Sequence, residues 1–253
     1  MTIPMIYAEV LKLVRRRGLM IGATVVMLGS LLLVIGIVAG LHAHDPRGND
    51  AVGGEQGYTA VVFLLLVFGS FASGMIGATA GAGDHTAGVF RDLVATGVSR
   101  MKLLAVRFPG ALLVTAVLLA AGMALAVAVG QLNGPSSGSI RSELPGDVEM
   151  AGLLIGTQVV LACALATLFS SRGWIIGGLI AFQWIIEPLL IHATHVSLRE
   201  WLIGGAIDQF GRDDLRRYGE ELRFSEGRAL LTIAVWMAVA IGLAAWRITR
   251  RDA

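Results

Sequence analysis

The sequence predicts an all-α, polytopic membrane protein with six transmembrane helices. Of its 253 residues, 55% are hydrophobic and only 15% are charged, and the mean hydropathy is +0.74. A soluble domain carries about 25% charged residues, so this composition indicates lipid as the main solvent. The charged residues also lie in short blocks between long apolar runs, which is the pattern of loops between membrane-spanning helices.

Six apolar runs are each long enough to cross a bilayer as a helix, which takes about 20 residues. Helices are favoured over barrel strands because the runs do not alternate between apolar and polar positions. A helix also satisfies its own backbone hydrogen bonds in lipid. We expect a single transmembrane domain over residues 1–253. The predicted spans cover residues 20–41, 58–80, 108–130, 151–171, 174–193 and 229–247.

An amphipathic helix over residues 3–17 is predicted before the first span. Pro4 suits its first turn, where the missing N–H costs nothing. A helix with one apolar and one cationic face lies in the membrane interface, so we expect this segment to anchor the N-terminus. The apolar face is formed by Ile3, Ile6, Tyr7, Val10, Leu11 and Val14, and the polar face by Glu9, Lys12, Arg15 and Arg16.

The distribution of lysine and arginine predicts that both termini are cytoplasmic. Six spans place both termini on one side, and the short segments on that side are rich in basic residues. By contrast, the first two loops on the other side contain one basic residue each, Arg47 and Arg141. Cytoplasmic segments carry the excess of positive charge. We therefore expect a multi-pass protein of the plasma membrane with cytoplasmic termini.

The inner loop over residues 81–107 is long for a connection between neighbouring helices. Asp84 or Thr86 is suited to cap a helix that begins there, and Gly97 is suited to end it. Ser99 is suited to cap a second helix, and Pro109 marks the entry to the third span. The loop therefore has the size and surface for docking another protein.

The outer connections differ in character. Residues 42–57 and 131–150 are rich in Gly, Pro, Ser, Asn and acids, which predicts loops. The long outer segment over residues 194–228 contains apolar positions, from Leu198 to Ile207, that predict an interfacial or re-entrant helix. Its charged part is expected to cap the outer surface.

The inner loop resembles that of a known family. The string Asp84-x-x-x-Gly88-Val89-Phe90-Arg91-Asp92-Leu93, then Gly97-Val98-Ser99-Arg100, Leu103-Leu104 and Arg107, resembles the permease subunits of type-2 ATP-binding cassette (ABC) exporters. The family typically has Glu, Thr, Pro and Lys where this chain has Asp84, Val89, Gly97 and Arg107. The first and last differences keep the charge, whereas Val89 lacks the hydroxyl. The six spans, the N-terminal helix and the long outer segment also agree with the family.

The resemblance implies a permease that pairs with a second permease copy, as a homodimer or with a close paralogue. Two copies of a cytoplasmic ABC ATPase subunit would bind ATP and Mg and drive export, with the substrate path lined by the second and fifth spans. A helix of the inner loop would couple the ATPase to the permease. The expected coupling residues are Asp84, Gly88, Phe90, Arg91, Asp92, Gly97, Ser99, Arg100 and Lys102. From the pattern alone, these charges are equally consistent with anchoring the loop at the headgroups.

Several functions are excluded or disfavoured by the sequence. It contains no Gly-x-x-x-x-Gly-Lys-Ser/Thr loop, so we expect no ATPase activity and no cofactor in this chain. Its single cysteine, Cys163, excludes an intrachain disulfide. The basic residues lie at the ends of apolar runs rather than on one soluble face, so nucleic acid is not an expected partner.

Polar residues within the spans are candidates for a translocation path. A carboxylate inside a membrane is costly, which makes Glu187 a functional candidate. The alternative is that Glu187 reaches water near the outer end of a span broken by Pro188. Gln158 and Gln183 are expected either to line a polar path or to bridge helices.

A metal site is a weaker hypothesis. His42, His44, His192 and His195 lie near the outer ends of the first and fifth spans, where imidazoles that approach one another can ligate a transition metal. The alternative is that they are interfacial polar residues. Other functional alternatives are a self-contained ion or solute channel or carrier, which normally needs several intramembrane charges, and a membrane-embedded enzyme.

Small residues at four-residue spacing permit close approach of membrane helices. With 33 glycines, such spacings also arise by chance. The candidate motifs are Gly36-x-x-x-Gly40, Gly77-x-x-x-Gly81 and Gly173-x-x-x-Gly177.

Overall fold

A computed structural model provides the fold of the chain. It describes residues 2–48, 51–86, 97–132, 137–169, 171–193, 200–212, 214–216 and 224–250. These residues form helices and no strands, and six of their helices are long and apolar enough to cross a membrane. The prediction of an all-helical, six-span chain is confirmed.

The spans are longer than predicted because their helices continue past the apolar runs into polar flanking residues. Spans 1 to 4 are Arg17–His44, Gly54–Thr86, Arg100–Gly130 and Ser137–Phe169. Span 5 consists of Arg172–Ala181, Phe182–Ile186 and Glu187–Ala193, and span 6 is Glu226–Arg250. The N-terminal helix is Thr2–Arg15, and a short helix, Ile203–Asp208, lies between spans 5 and 6.

The six spans place both termini on one face of the bundle. We call it the terminal face, and the opposite side, which carries the short helix, the distal face. Spans 2 and 4 form the centre, since they make the most extensive contact and most residues of their apolar stretches are buried. Spans 1, 5 and 6 are peripheral, and less than a third of the residues in the apolar stretch of each are buried.

Close packing of spans 2 and 4 depends on two glycines. A Cβ added at Gly77 would lie 2.4 Å from the carbonyl oxygen of Val159, and one at Gly81 would lie 2.2 Å from that of Cys163. The close approach predicted for Gly77-x-x-x-Gly81 is therefore confirmed. The other two motifs make no such contact within the described residues: an added Cβ meets no atom within 4 Å at Gly36, Gly40, Gly173 or Gly177.

The N-terminal amphipathic helix is confirmed. Its Glu9 packs against Gly110 of span 3, where an added Cβ would lie 2.8 Å from the Cβ of Glu9. Beyond this contact the apolar face of the helix and span 3 enclose a groove of about 560 Å³. Ile3 and Tyr7 line the groove and are exposed, as expected of side chains that face lipid.

Two expectations about the loop between spans 2 and 3 are wrong. The helix of span 2 continues through Asp84 to Thr86, so Asp84 does not cap the start of a helix. The helix predicted between Thr86 and Gly97 lies outside the described residues. Ser99 does cap a helix, but that helix is span 3 itself, which runs through Pro109 without a break. The buried side chains of Leu104 and Arg107 anchor this first part of span 3 to the bundle.

The outer connections are also more helical than predicted. Residues 137–150, within the predicted loop 131–150, form the first turns of span 4. Packing overrides their loop-like composition, because Ile140 is buried against Gly130 and Tyr58. The helix expected near Ile207 is present as Ile203–Asp208, although all of its residues are buried rather than interfacial.

Candidate functional site

Each predicted coupling residue lies at the start of the loop, at its end, or outside the described residues. Asp84 lies in the last turn of the span 2 helix. Gly97 has φ +86°, the left-handed conformation that favours glycine at the end of a helix. Gly88, Phe90, Arg91 and Asp92 lie outside the described residues.

The end of the loop, where the chain enters span 3, is fixed by contacts of Ser99 and Arg100. The Ser99 hydroxyl accepts a hydrogen bond of 3.4 Å from the Lys102 N–H and so caps span 3. The Arg100 guanidinium donates to the Ile248 carbonyl at the end of span 6, at 3.4 Å. Lys102 is exposed on the terminal face. This end of the loop is therefore tied to span 6 and still presents a free surface.

The start of the loop, where the chain leaves span 2, is fixed by the buried side chain of Arg107. Arg107 is fully buried and donates to the Gly81 carbonyl at 3.0 Å. The Thr167 hydroxyl of span 4 donates to the Cys163 carbonyl at 2.9 Å and also lies 3.3 Å from the Gly81 carbonyl. Near it, a Cβ added at Gly83 would lie 2.9 Å from Nη1 of Arg16, so the Arg16 guanidinium lies against the chain there.

We call Arg16, Gly81, Arg107 and Thr167 the terminal anchor. It joins the end of span 2 to span 3, span 4 and the junction after the N-terminal helix. Sequence reasoning matched Arg107 to a basic residue of the exporter family but missed its partner. No signal in the sequence connects Arg107 to Gly81, because the contact depends on how span 3 packs against span 2.

The structure brings Gln158 and Gln183 together. Both line one cavity of about 150 Å³ between spans 4, 5 and 6 and the short helix. They are 3% and 4% exposed. Nε2 of Gln158 and Oε1 of Gln183 have no hydrogen-bond partner in the part of the chain that the structure describes. Two of the three predicted path residues thus share one site.

Glu187 does not line that cavity. Its carboxylate is fully buried and accepts a hydrogen bond of 2.5 Å from the Gly204 N–H in the first turn of the short helix. A Cβ added at Gly204 would lie 2.5 Å from Oε2 of Glu187, so only glycine leaves room for the carboxylate. Glu187 therefore holds the short helix against span 5, and it does not reach water as the alternative reading assumed.

A second buried polar group lies on the distal face and was not predicted. Arg212, after the short helix, forms ion pairs with Glu143 and with Asp147, the latter at 3.2 Å. The Tyr58 hydroxyl donates to Asp147 at 2.7 Å. We call Tyr58, Glu143, Asp147 and Arg212 the distal cluster. It connects the segment before span 6 to spans 2 and 4.

The predicted histidines do not form a described metal site. His42 and His44 lie in the last turn of span 1, and His192 lies near the end of span 5, whereas His195 is outside the described residues. Within the described ranges, no group of three or more His, Cys, Asp or Glu side chains is placed to hold a metal ion.

Comparison with known protein families identifies a match over most of the chain. The family model described as "ABC-2 family transporter protein" matches residues 5–186, which is more than half of the chain. The match begins in the N-terminal helix and extends through spans 1 to 4 and into span 5. It therefore includes the loop between spans 2 and 3. Among curated proteins, none matches the chain.

Proposed function

The chain belongs to the ABC-2 transporter family, of which it is a membrane component, and we propose that it is the permease of an exporter driven by a separate ATPase. In this proposal residues 1–253 form one permease domain without ATPase activity. Two copies of a cytoplasmic ABC ATPase bind beneath two permeases, and ATP and Mg are bound by the ATPase. The terminal face is the cytoplasmic face of the plasma membrane.

The observation that supports this proposal best is the attachment of the loop between spans 2 and 3. The terminal anchor holds the loop at its start, and the Ser99 cap and the bond from Arg100 to Ile248 hold it at its end. A force on the loop therefore acts directly on spans 2, 3 and 6.

A mechanism follows from these attachments. The ATPase can shift the permease only if it contacts the loop differently in its two states. When the ATPase dimer closes on ATP, the loop moves with it, and the terminal anchor transmits the movement to spans 2 and 4. Hydrolysis releases the loop and resets the spans. The substrate path then opens and closes at the boundary between two permease copies, where peripheral span 5 is available for contact.

Charge reversal in the loop tests the proposal. We would express the chain with the ATPase of its genomic neighbourhood, purify the complex and compare Asp84→Arg and Lys102→Glu with the unchanged chain. Lys102→Glu is expected to weaken binding of the ATPase about two- to fivefold, as the loss of an exposed ion pair does, and Asp84→Arg is expected to act in the same direction. The stimulation of ATPase activity by the permease should fall in parallel.

Arg141→Glu is the matched control, because Arg141 is an exposed basic residue on the distal face. It reverses a charge without touching the loop and should leave association and ATPase rate unchanged. Unchanged association and ATPase coupling in both loop variants would contradict the proposed docking.

A further inference from the structure

We propose that the cavity between spans 4, 5 and 6 is a binding site for an uncharged amphiphile that carries a hydroxyl or a carboxamide. The inference goes beyond the proposed function and does not depend on it, because it concerns binding in the absence of nucleotide. It rests on the two glutamines, on the apolar walls around them and on a groove that adjoins the cavity.

The two glutamine side chains are the polar part of the site. Both are more than nine-tenths buried and line the cavity, yet Nε2 of Gln158 and Oε1 of Gln183 lack a hydrogen-bond partner among the described residues. Leaving such groups unpaired inside a protein costs free energy, and most buried polar groups have a partner. A ligand with one donor and one acceptor satisfies both amides.

The rest of the cavity is apolar. Leu161, Phe182 and Trp236 are among its walls, and none of the described residues that line it is ionisable. A cavity of about 150 Å³ between apolar side chains accommodates a benzene-sized group. A charged head group is disfavoured, because the described lining offers no counter-ion and the cavity lies between the ends of the spans, where charge is costly.

An adjoining groove offers space for a tail. It has a volume of about 240 Å³ and extends along span 5 past Gly178 to Trp174, which is 84% exposed. An apolar chain in this groove would enter from the bilayer through the gap between spans 5 and 6. The residues shared by the cavity and the groove are Leu165, Leu179, Phe182 and Trp236.

The local backbone positions one of the glutamines. Gln183 lies in the π-helical turn Phe182–Ile186, and such turns occur often at functional sites. The Trp236 indole N–H already donates to the Trp201 carbonyl at 2.9 Å, so the ring is held in place as a wall. Phe182 packs on it with a ring-centroid distance of 6.1 Å. The walls of the cavity are thus fixed in position by specific contacts of Trp236 and Phe182.

Photolabelling tests the site directly. The purified full chain in nanodiscs, without ATPase and without nucleotide, would be labelled with the diazirine alcohol 3-azioctanol and the labelled peptides mapped. Labelling is expected in the peptides that contain residues 158–165, 179–183 and 236–243. Unlabelled octanol and octanamide should compete, whereas octane and octanoate should compete about tenfold less, because one lacks a polar head and the other is charged.

Gln158→Leu and Gln183→Leu are the informative variants. Each should reduce labelling about three- to tenfold, as the loss of one hydrogen bond to a ligand does. The melting midpoint of the free protein should stay the same or rise, because an unpaired buried amide is removed. Gln131→Leu is the matched control, since Gln131 is exposed at the end of span 3 and should not affect labelling.

Several results would overturn the inference. If the label maps to other peptides, the cavity is not the binding site. If octane and octanol reduce the labelling equally, the two amides do not contribute to binding. A lower melting midpoint in both glutamine variants shows instead that the amides bridge the helices. If a variant does not fold, the positions labelled in the unchanged chain and the competition by the four unlabelled compounds still test the proposed site. Absence of labelling from the three peptides means that a second copy or the lipid closes the groove, and the proposal is then wrong.

Discussion

At the scale of single residues, two buried ionisable side chains hold polar backbone groups that the membrane does not solvate. Arg107 binds the Gly81 carbonyl, and Glu187 binds the Gly204 N–H. Backbone groups without water need a partner within the protein. Both side chains therefore act first on the position of a segment, and any effect on transport passes through that segment.

Arg107→Leu is expected to lower the free energy of unfolding by about 1.5–3 kcal/mol, because a hydrogen bond from a charged donor is lost. The melting midpoint of the purified chain measures this. ATPase association should survive, since Lys102 and the rest of the loop are unchanged, but stimulation of the ATPase should fall. Arg107→Lys keeps the charge and should restore much of both. If Arg107→Leu melts like the unchanged chain, the terminal anchor does not hold the loop.

Glu187→Leu should release the short helix. It leaves the Gly204 N–H buried without its acceptor, which costs about 1–3 kcal/mol. Hydrogen exchange in residues 203–208 is expected to rise, while exchange in span 3 stays unchanged. Glu187→Gln keeps an acceptor oxygen and should have a much smaller effect. Equal exchange in the two variants would show that Glu187 does not position the helix.

At the scale of elements, contact between spans 2 and 4 depends on the absence of two side chains. Gly77→Ala and Gly81→Ala would each push a methyl group into a backbone carbonyl of span 4. Overpacking of this kind costs about 1–3 kcal/mol, and backbone atoms cannot move aside as a flexible side chain can. The melting midpoint should fall in both variants.

Gly36→Ala and Gly40→Ala are the matched controls for these two variants. They have the same four-residue spacing on span 1, but an added Cβ meets no described atom within 4 Å. Replacing a helical glycine by alanine without a clash stabilises by about 0.5–1 kcal/mol. A lower midpoint in the controls, or an unchanged one in the Gly77 and Gly81 variants, would contradict the packing described here.

At the scale of the whole molecule, the class of fold and the number of spans were predictable from the sequence. Apolar run length determines both, since a helix must satisfy its backbone across the whole bilayer. The resemblance of the loop between spans 2 and 3 also predicted the family that the family model identifies. Gln158 and Gln183 were predicted as one polar set with Glu187, and the structure brings only the first two to one cavity.

What the sequence did not predict are contacts between distant segments. Residues 137–150 have the composition of a loop, but Asp147 pairs with Tyr58 and Arg212, and Ile140 is buried. Local propensity is a weak guide where such packing stabilises a helix. Span ends were misplaced for the same reason, because polar flanking residues gain partners only in the folded bundle.

The central claim is that a cytoplasmic ATPase binds the loop between spans 2 and 3. Site-specific cross-linking tests this claim most directly. The native Cys163 is buried, so Cys163→Ala gives a background for single cysteines. Lys102→Cys and Arg141→Cys would be compared in intact cells that contain the ATPase, with a membrane-permeant maleimide–succinimidyl ester cross-linker. We predict a product with the ATPase from Lys102→Cys and none from Arg141→Cys. A product from Arg141→Cys alone, or from neither variant, would contradict the account.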